Sequence, residues 1–138
     1  MKKILGIVVM GILLSGNAIA KTTIISCISY EQINYQRSGE VIIDQKTHLE
    51  YIFELDDKNE TIYQYSDLMN YFQKLSDVIW GSSIILWTGL IGDGLKSSSK
   101  LNRITGQYII DTKMDEKFNP DTSRTINKYN CKSVDKKF

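Results

Sequence analysis

Between residues 48 and 55 the chain alternates. Leu49, Tyr51, Phe53 and Leu55 are apolar, whereas His48, Glu50 and Glu54 are polar and only Ile52 breaks the rhythm. A period of two predicts a strand with one face on a core and one in water. The polar run Asp56-Asp57-Lys58-Asn59-Glu60 follows, with Asx residues suited to bonding their own backbone. Thr61 to Tyr65 then returns as a second strand, so the two form a hairpin. Asn59-Glu60-Thr61 also matches a glycosylation tripeptide, read here as a chance occurrence. Upstream, Thr22 to Tyr30 is rich in β-branched residues and reads as a strand carrying Cys27. Ser38-Gly39 marks a turn and Glu40 to Asp44 a short strand.

In the segment from Ser66 to Val78, Leu68, Met69, Phe72 and Leu75 recur at helical spacing, and Ser66 and Asp67 suit a helix start. One short helix packed on the sheet is expected there. Val78 to Gly92 carries no charge, but at about 15 residues it falls short of the roughly 20 that a membrane helix needs, and glycines interrupt it. It reads instead as a buried strand centred on 84–88. Asp93 to Ser99 reads as a Gly/Ser turn, and Lys100 to Asp111 as one long strand with Gly106 at a bulge or close approach. Thr112 to Ser123 reads as a loop holding the only proline, Pro120, and Thr125 to Cys131 as the closing strand. Strands with hairpin-length links and a single helix predict a mainly β fold: a small antiparallel sheet, curled or closed into a barrel or sandwich.

The first twenty residues stand apart. Lys2 and Lys3 precede the apolar run from Ile4 to Leu14, and Ala18-Ile19-Ala20 offers a small-x-small cleavage site. This is the layout of a secretory signal peptide. The expectation is a signal over 1–20, a single β-rich domain over 21–138, and a periplasmic or secreted location with no transmembrane segment after cleavage.

Export changes the meaning of the two cysteines. Cys27 near the start of the domain and Cys131 near its end form a matched pair, which in an oxidising compartment reads as a disulfide joining the first and last strands. Two buried free thiols are the alternative. A bridge requires the two Cα atoms within about 7 Å, so the chain ends would lie side by side.

Composition narrows the partners. With 42% hydrophobic residues, 10% aromatic and a formal net charge of +1, the chain is suited to a folded core and not to disorder. Removing Lys2 and Lys3 leaves 15 basic residues against 16 acidic, which gives no electrostatic footprint for nucleic acid.

Catalytic constellations are sparse. His48 is the only histidine and falls on the polar face of a strand, with no Gly-x-Ser-x-Gly elbow anywhere. Asp56-Asp57 and Asp115-Glu116 read as turn carboxylates. Gly92-Asp93-Gly94 lacks the Gly-Lys-Ser/Thr of a phosphate loop. Asp56, Asp57 and Asn59 lack the calcium-loop pattern, and two cysteines with one histidine fall short of a zinc site, so neither a metal nor a cofactor is expected.

The aromatic residues offer more: eight tyrosines and two tryptophans, many on expected strands. Cross-strand packing accounts for most of them. Trp80, Trp87 and Tyr108 are also candidate recognition residues, since Tyr and Trp anchor interfaces. Arg103 is a candidate hand for a carboxylate, or an ion-pairing arginine.

Trp80 to Trp87 (WGSSIILW), Leu101-Asn102-Arg103-Ile104-Thr105-Gly106 and the closing Tyr129-Asn130-Cys131 together resemble a pattern in small exported bacterial proteins of unknown function. That resemblance covers the C-terminal half and implies a β fold without implying an activity. In size, export and terminal cysteines the chain is also similar to periplasmic lysozyme inhibitors of the small β-barrel type. Their Ser-Gly-x-x-Tyr motif has no counterpart, because Thr105-Gly106-Gln107-Tyr108 differs in spacing, so no inhibitory residue is carried over. The function expected from these features is a non-catalytic binding protein with an envelope partner. A hydrolase inhibitor is the alternative, and a carboxylate-dependent hydrolase is a more distant one.

Overall fold

The computed structural model describes residues 22–46, 48–66, 70–90 and 95–134. The expected signal segment therefore lies outside the described residues. Among the described residues ten strands occur: β1 (Thr22–Gln36), β2 (Val41–Asp44), β3 (Glu50–Asp56), β4 (Thr61–Ser66), β5 (Tyr71–Lys74), β6 (Ile79–Trp80), β7 (Ile84–Leu90), β8 (Leu95–Asn102), β9 (Gln107–Met114) and β10 (Thr122–Ser133). They form one antiparallel sheet in the order β5-β4-β3-β1-β10-β9-β8-β7-β6, with β2 added to β1. The sheet is curled into a half-barrel, and its concave face holds the core.

The curl follows from who touches whom. Phe53 on β3, Trp87 on β7, Tyr108 on β9 and Tyr129 on β10 are all buried in one cluster with Ile25, Cys27, Leu55, Ile62, Ile85 and Leu101. These residues recur at every second position of their strands, as one face of a pleated sheet requires. Leu75 and Val78, between the edge strands β5 and β6, pack against the same cluster.

β1 is the organising strand. Its first half pairs with β3, from Thr22↔Asp56 to Ile28↔Glu50, and its second half with β2, from Gln32↔Asp44 to Tyr35↔Val41. Its other edge pairs with β10 from Ile25 to Gln36, with register shifts between Ser29 and Glu31 and between Tyr35 and Gln36. The extra residue of the first of these, Tyr30, turns the strand so that a single segment serves two partners.

Cys27 faces Cys131 directly in the β1–β10 register, and the two are bridged, with Cα atoms 3.9 Å apart. The expected covalent link between the first and last strands is therefore present. Cys131 N–H donates to the Gly106 carbonyl at 2.7 Å on the opposite side, toward β9.

Several expectations are corrected. The helix over 66–78 does not form: β4 runs to Ser66, β5 occupies 71–74, and residues 67–69 lie outside the described set. Tyr65↔Phe72 and Ser66↔Tyr71 pair across this hairpin. Asn70 takes φ +54°, and its N–H donates to the Ser66 carbonyl. Tyr63, Tyr65, Tyr71 and Phe72 all favour strands, and a helix of two or three turns has little stability of its own, so cross-strand pairing prevails.

The single strand expected over 100–111 is a hairpin. Asn102 ends β8, and its Oδ1 accepts the N–H groups of Ile104 and Thr105, both at 3.0 Å. Gly106 takes φ +74°, and its N–H donates to the Asn102 carbonyl. The close approach expected at Gly106 is real: a Cβ there would lie 2.7 Å from the Cys131 carbonyl oxygen. Ser97 to Ser99, expected in a turn, belong to β8. The expected loop over 112–123 shrinks to the link between Met114 and Thr122.

Candidate functional site: the Arg103 mouth of the half-barrel

One end of the half-barrel gathers the β3–β4 turn, the β8–β9 turn, the start of β1 and the end of β10. The β8–β9 turn is pinned by its Asx bonds and by Arg103 N–H donating to the Ser83 carbonyl at 2.7 Å. This anchoring holds Arg103 over the mouth. Its guanidinium lies 5.0 Å from the centre of the Trp80 ring and donates to Asp57 Oδ1 at 2.5 Å. Three strand termini, 46 residues apart in the case of Arg103 and Asp57, thus converge on one cationic group.

Beneath Arg103 lies a cleft of about 310 Å³. Its floor is apolar, from Ile25, Leu55 and Leu101 of the core cluster. Arg103 brings positive charge to its rim, and none of its lining residues is acidic. Its size is at the lower end of small-molecule sites, which span about 300–1,000 Å³. The arrangement suits a group with an apolar body and a negative end.

The four residues singled out in the sequence separate into two pairs. Trp80 and Arg103 stack on one another at the mouth. Trp87 and Tyr108 are 7% and 2% exposed and stack on each other in the core, with centroids 5.4 Å apart. Tyr108 keeps its polar end satisfied through Ser99 Oγ, 3.0 Å away. Burial pushes the Tyr108 and Tyr129 phenols well above their ordinary value of 10.0. Both are therefore neutral packing elements.

Sequence reasoning had assigned Asp57 to a solvated turn; the structure makes it the partner of Arg103. No local signal marks it, because its relevance arises only when distant turns meet. The turn that presents Arg103 did have a signal, an Asx residue four positions before a glycine.

His48 stands away from this mouth, in a separate shallow groove with Ile28, Tyr30, Gln45 and Lys132. Hydrogen bonds from the Asn59 side chain and backbone hold the Asp56 carboxyl below its ordinary value. It organises the β3–β4 turn. Among the described residues, no group of three or more His, Cys, Asp or Glu side chains is placed to hold a metal ion. Nor, among them, is any helix long and apolar enough to cross a membrane.

Comparison with protein-family models, with curated proteins and with solved structures finds no match to this chain.

Proposed function

We propose that this is an exported, non-catalytic binding protein, whose mouth cleft takes a ligand with an apolar body and an anionic end. The observation that carries the reading is the chemistry of the cleft: an apolar floor under Arg103 and no lining carboxylate. The guanidinium carbon lies over the Trp80 ring, and Asp57 accepts a hydrogen bond from one of the terminal nitrogens. A planar five-donor group preset in this way recognises carboxylates and related anions. Export is supported by the Cys27–Cys131 bridge, since structural disulfides persist in oxidising compartments.

Decanoate is the probe for this reading, with decanol as its uncharged counterpart and Trp80 fluorescence as the signal. Saturable binding of decanoate is expected, weaker binding of decanol, and loss of the difference in Arg103→Ala. No saturable binding, or equal binding of acid and alcohol by the unaltered chain, overturns it.

A second reading, inhibition of a cell-wall hydrolase, draws on the resemblance to small β-barrel inhibitors and on the half-buried Trp80–Arg103 pair beside the turns. Purified chain that slows a lysozyme at micromolar concentration, with the effect lost in Arg103→Ala, supports it; an unaffected lysozyme removes it.

A further inference from the structure

We propose that the free edge of β2 is an interface with a second copy of this chain, the two β2 strands pairing antiparallel about a two-fold axis at Ile43. β2 pairs with β1 on one side, and no strand among the described residues pairs with its other edge. Val41, Ile42 and Ile43 are 50%, 45% and 57% exposed, and they point to alternate faces. Sheet edges are normally blunted by lysine, proline or extreme shortness, because an open β-branched edge is a template for another strand. The other edges here follow that practice: β5 ends in Lys74 and β6 spans two residues. β2 is as short as β5 and ends in Asp44, but its open edge carries three consecutive β-branched residues, Val41, Ile42 and Ile43.

The backbone fixes which registers are possible. The β1–β2 hairpin closes with Gln36 N–H donating to the Glu40 carbonyl at 2.8 Å, across a turn where Gly39 takes φ +96°. Hydrogen-bonded and non-hydrogen-bonded pairs alternate along an antiparallel ladder. Residues 40, 42 and 44 therefore bond toward β1, and the N–H and C=O groups of Val41 and Ile43 point to the open edge. A second β2 must match outward groups with outward groups.

Charge then selects among the matching registers. Pairing Val41 with Ile43 of the second copy sets Glu40 against Asp44, two negative charges. Centring on Asp44 sets that carboxylate against itself. Centring on Val41 leaves Ile43 opposite Gly39. Centring on Ile43 pairs Ile43 with itself, sets Ile42 opposite Asp44 with no two carboxylates face to face, and brings Glu40 toward Lys46 of the second copy, which lies just beyond β2 with its N–H on Asp44 Oδ1. Opposite charges at facing positions stabilise a sheet pair, and like charges oppose it.

The same register extends an apolar row already built into the sheet. Ile43 is the cross-strand partner of Ile33, and Ile33 of Ile126, all on the convex face. Pairing at Ile43 joins this row to its symmetric copy. The contact is isologous, so it closes at two copies instead of propagating into a fibre. Its small extent implies a concentration-dependent dimer and not a permanent one.

Sedimentation velocity over a concentration series, on the protein as recovered from the cells that make it, tests this. A monomer–dimer equilibrium is expected. Ile43→Lys places two like charges on the axis and should weaken it by about tenfold or more. Ile104→Lys, at a 77% exposed position in the β8–β9 turn, should leave it unchanged. Glu40→Lys and Lys46→Glu should each weaken the dimer, and the double exchange should restore it. Circular dichroism confirms that each variant is folded; Ile43 is exposed, so folding is not at stake. A monomer at every concentration, a dimer indifferent to Ile43→Lys, or no recovery in the double exchange overturns the proposal.

Discussion

Phe53 on β3 and Trp87 on β7 hold their ring centroids 5.5 Å apart, although four strands of the sheet lie between them. In a flat sheet, five strand spacings would separate them by about 24 Å. The contact exists because the sheet curls, and it is one of several that meet at Phe53: Tyr51 and Tyr108 also lie against its ring. Phe53→Ala empties the centre of this cluster and should cost about 3–5 kcal/mol. Chemical denaturation followed by tryptophan emission measures it, since Trp87 borders the space created. A loss below about 1 kcal/mol would show that the cluster is not the core of the fold.

The Cys27–Cys131 bridge closes a sequence separation of 104 residues. In the chain-entropy account, such a link stabilises by about 4–5 kcal/mol through the unfolded state. The Cys27→Ala/Cys131→Ala double variant should lose much of that, read as a lowered denaturation midpoint, while β1–β10 pairing still specifies the same fold. Thiol quantification on denatured, non-reduced protein should find no free cysteine.

Two glycines with positive φ separate two kinds of cost. Gly39 has nothing within 4 Å of a hypothetical Cβ, so Gly39→Ala carries only the left-handed backbone penalty, about 1–2 kcal/mol. At Gly106 the same change also drives a methyl to 2.7 Å from the Cys131 carbonyl oxygen. Gly106→Ala should therefore be the more damaging of the two in thermal unfolding. Equal effects would mean that the β8–β9 turn yields without disturbing β10.

The buried phenols make the protein sensitive to alkali. Tyr108 and Tyr129 keep their protons above the ordinary value of 10.0 because burial disfavours the phenolate. A raised folded-state value contributes stability below the unfolded value and loses it as pH rises beyond. Stability should thus fall above about pH 10. Absorbance at the phenolate band should show these two tyrosines ionising only as the protein unfolds, with Tyr108→Phe removing one of the late protons.

At the acid end the relevant pair is Asp111 and Arg124, joined by two hydrogen bonds of 2.8 and 2.5 Å on the convex face. The Arg124 hydrogen bonds hold the Asp111 carboxyl below its ordinary value of 3.8. Its contribution is therefore present above that pH and lost as pH falls further. Because the pair is partly exposed, Asp111→Asn should cost only about 0.5–1 kcal/mol at neutral pH. The difference between the two proteins in urea unfolding should shrink progressively below about pH 3.8.

Local pattern was enough for the β3–β4 hairpin, because alternation at 48–55 and an Asx turn at 56–60 depend only on neighbours along the chain. The pairing of Cys27 with Cys131 was also legible, because two cysteines leave one possible bridge. By contrast, Leu68, Met69, Phe72 and Leu75 carry helical spacing, yet Tyr71 and Phe72 pair with Ser66 and Tyr65. Helix and strand compete closely in so short a segment, and the β4 edge decides. Lys100 to Asp111 reads as one strand until the Asn102 side chain and the Gly106 backbone fold it back on itself. The placement of Arg103 on Trp80 and Asp57, and the retreat of Tyr108 into the core, were decided by tertiary structure alone. A linear pattern states which face a residue prefers, but only the curl of the sheet sets which distant faces meet and which turns share a mouth.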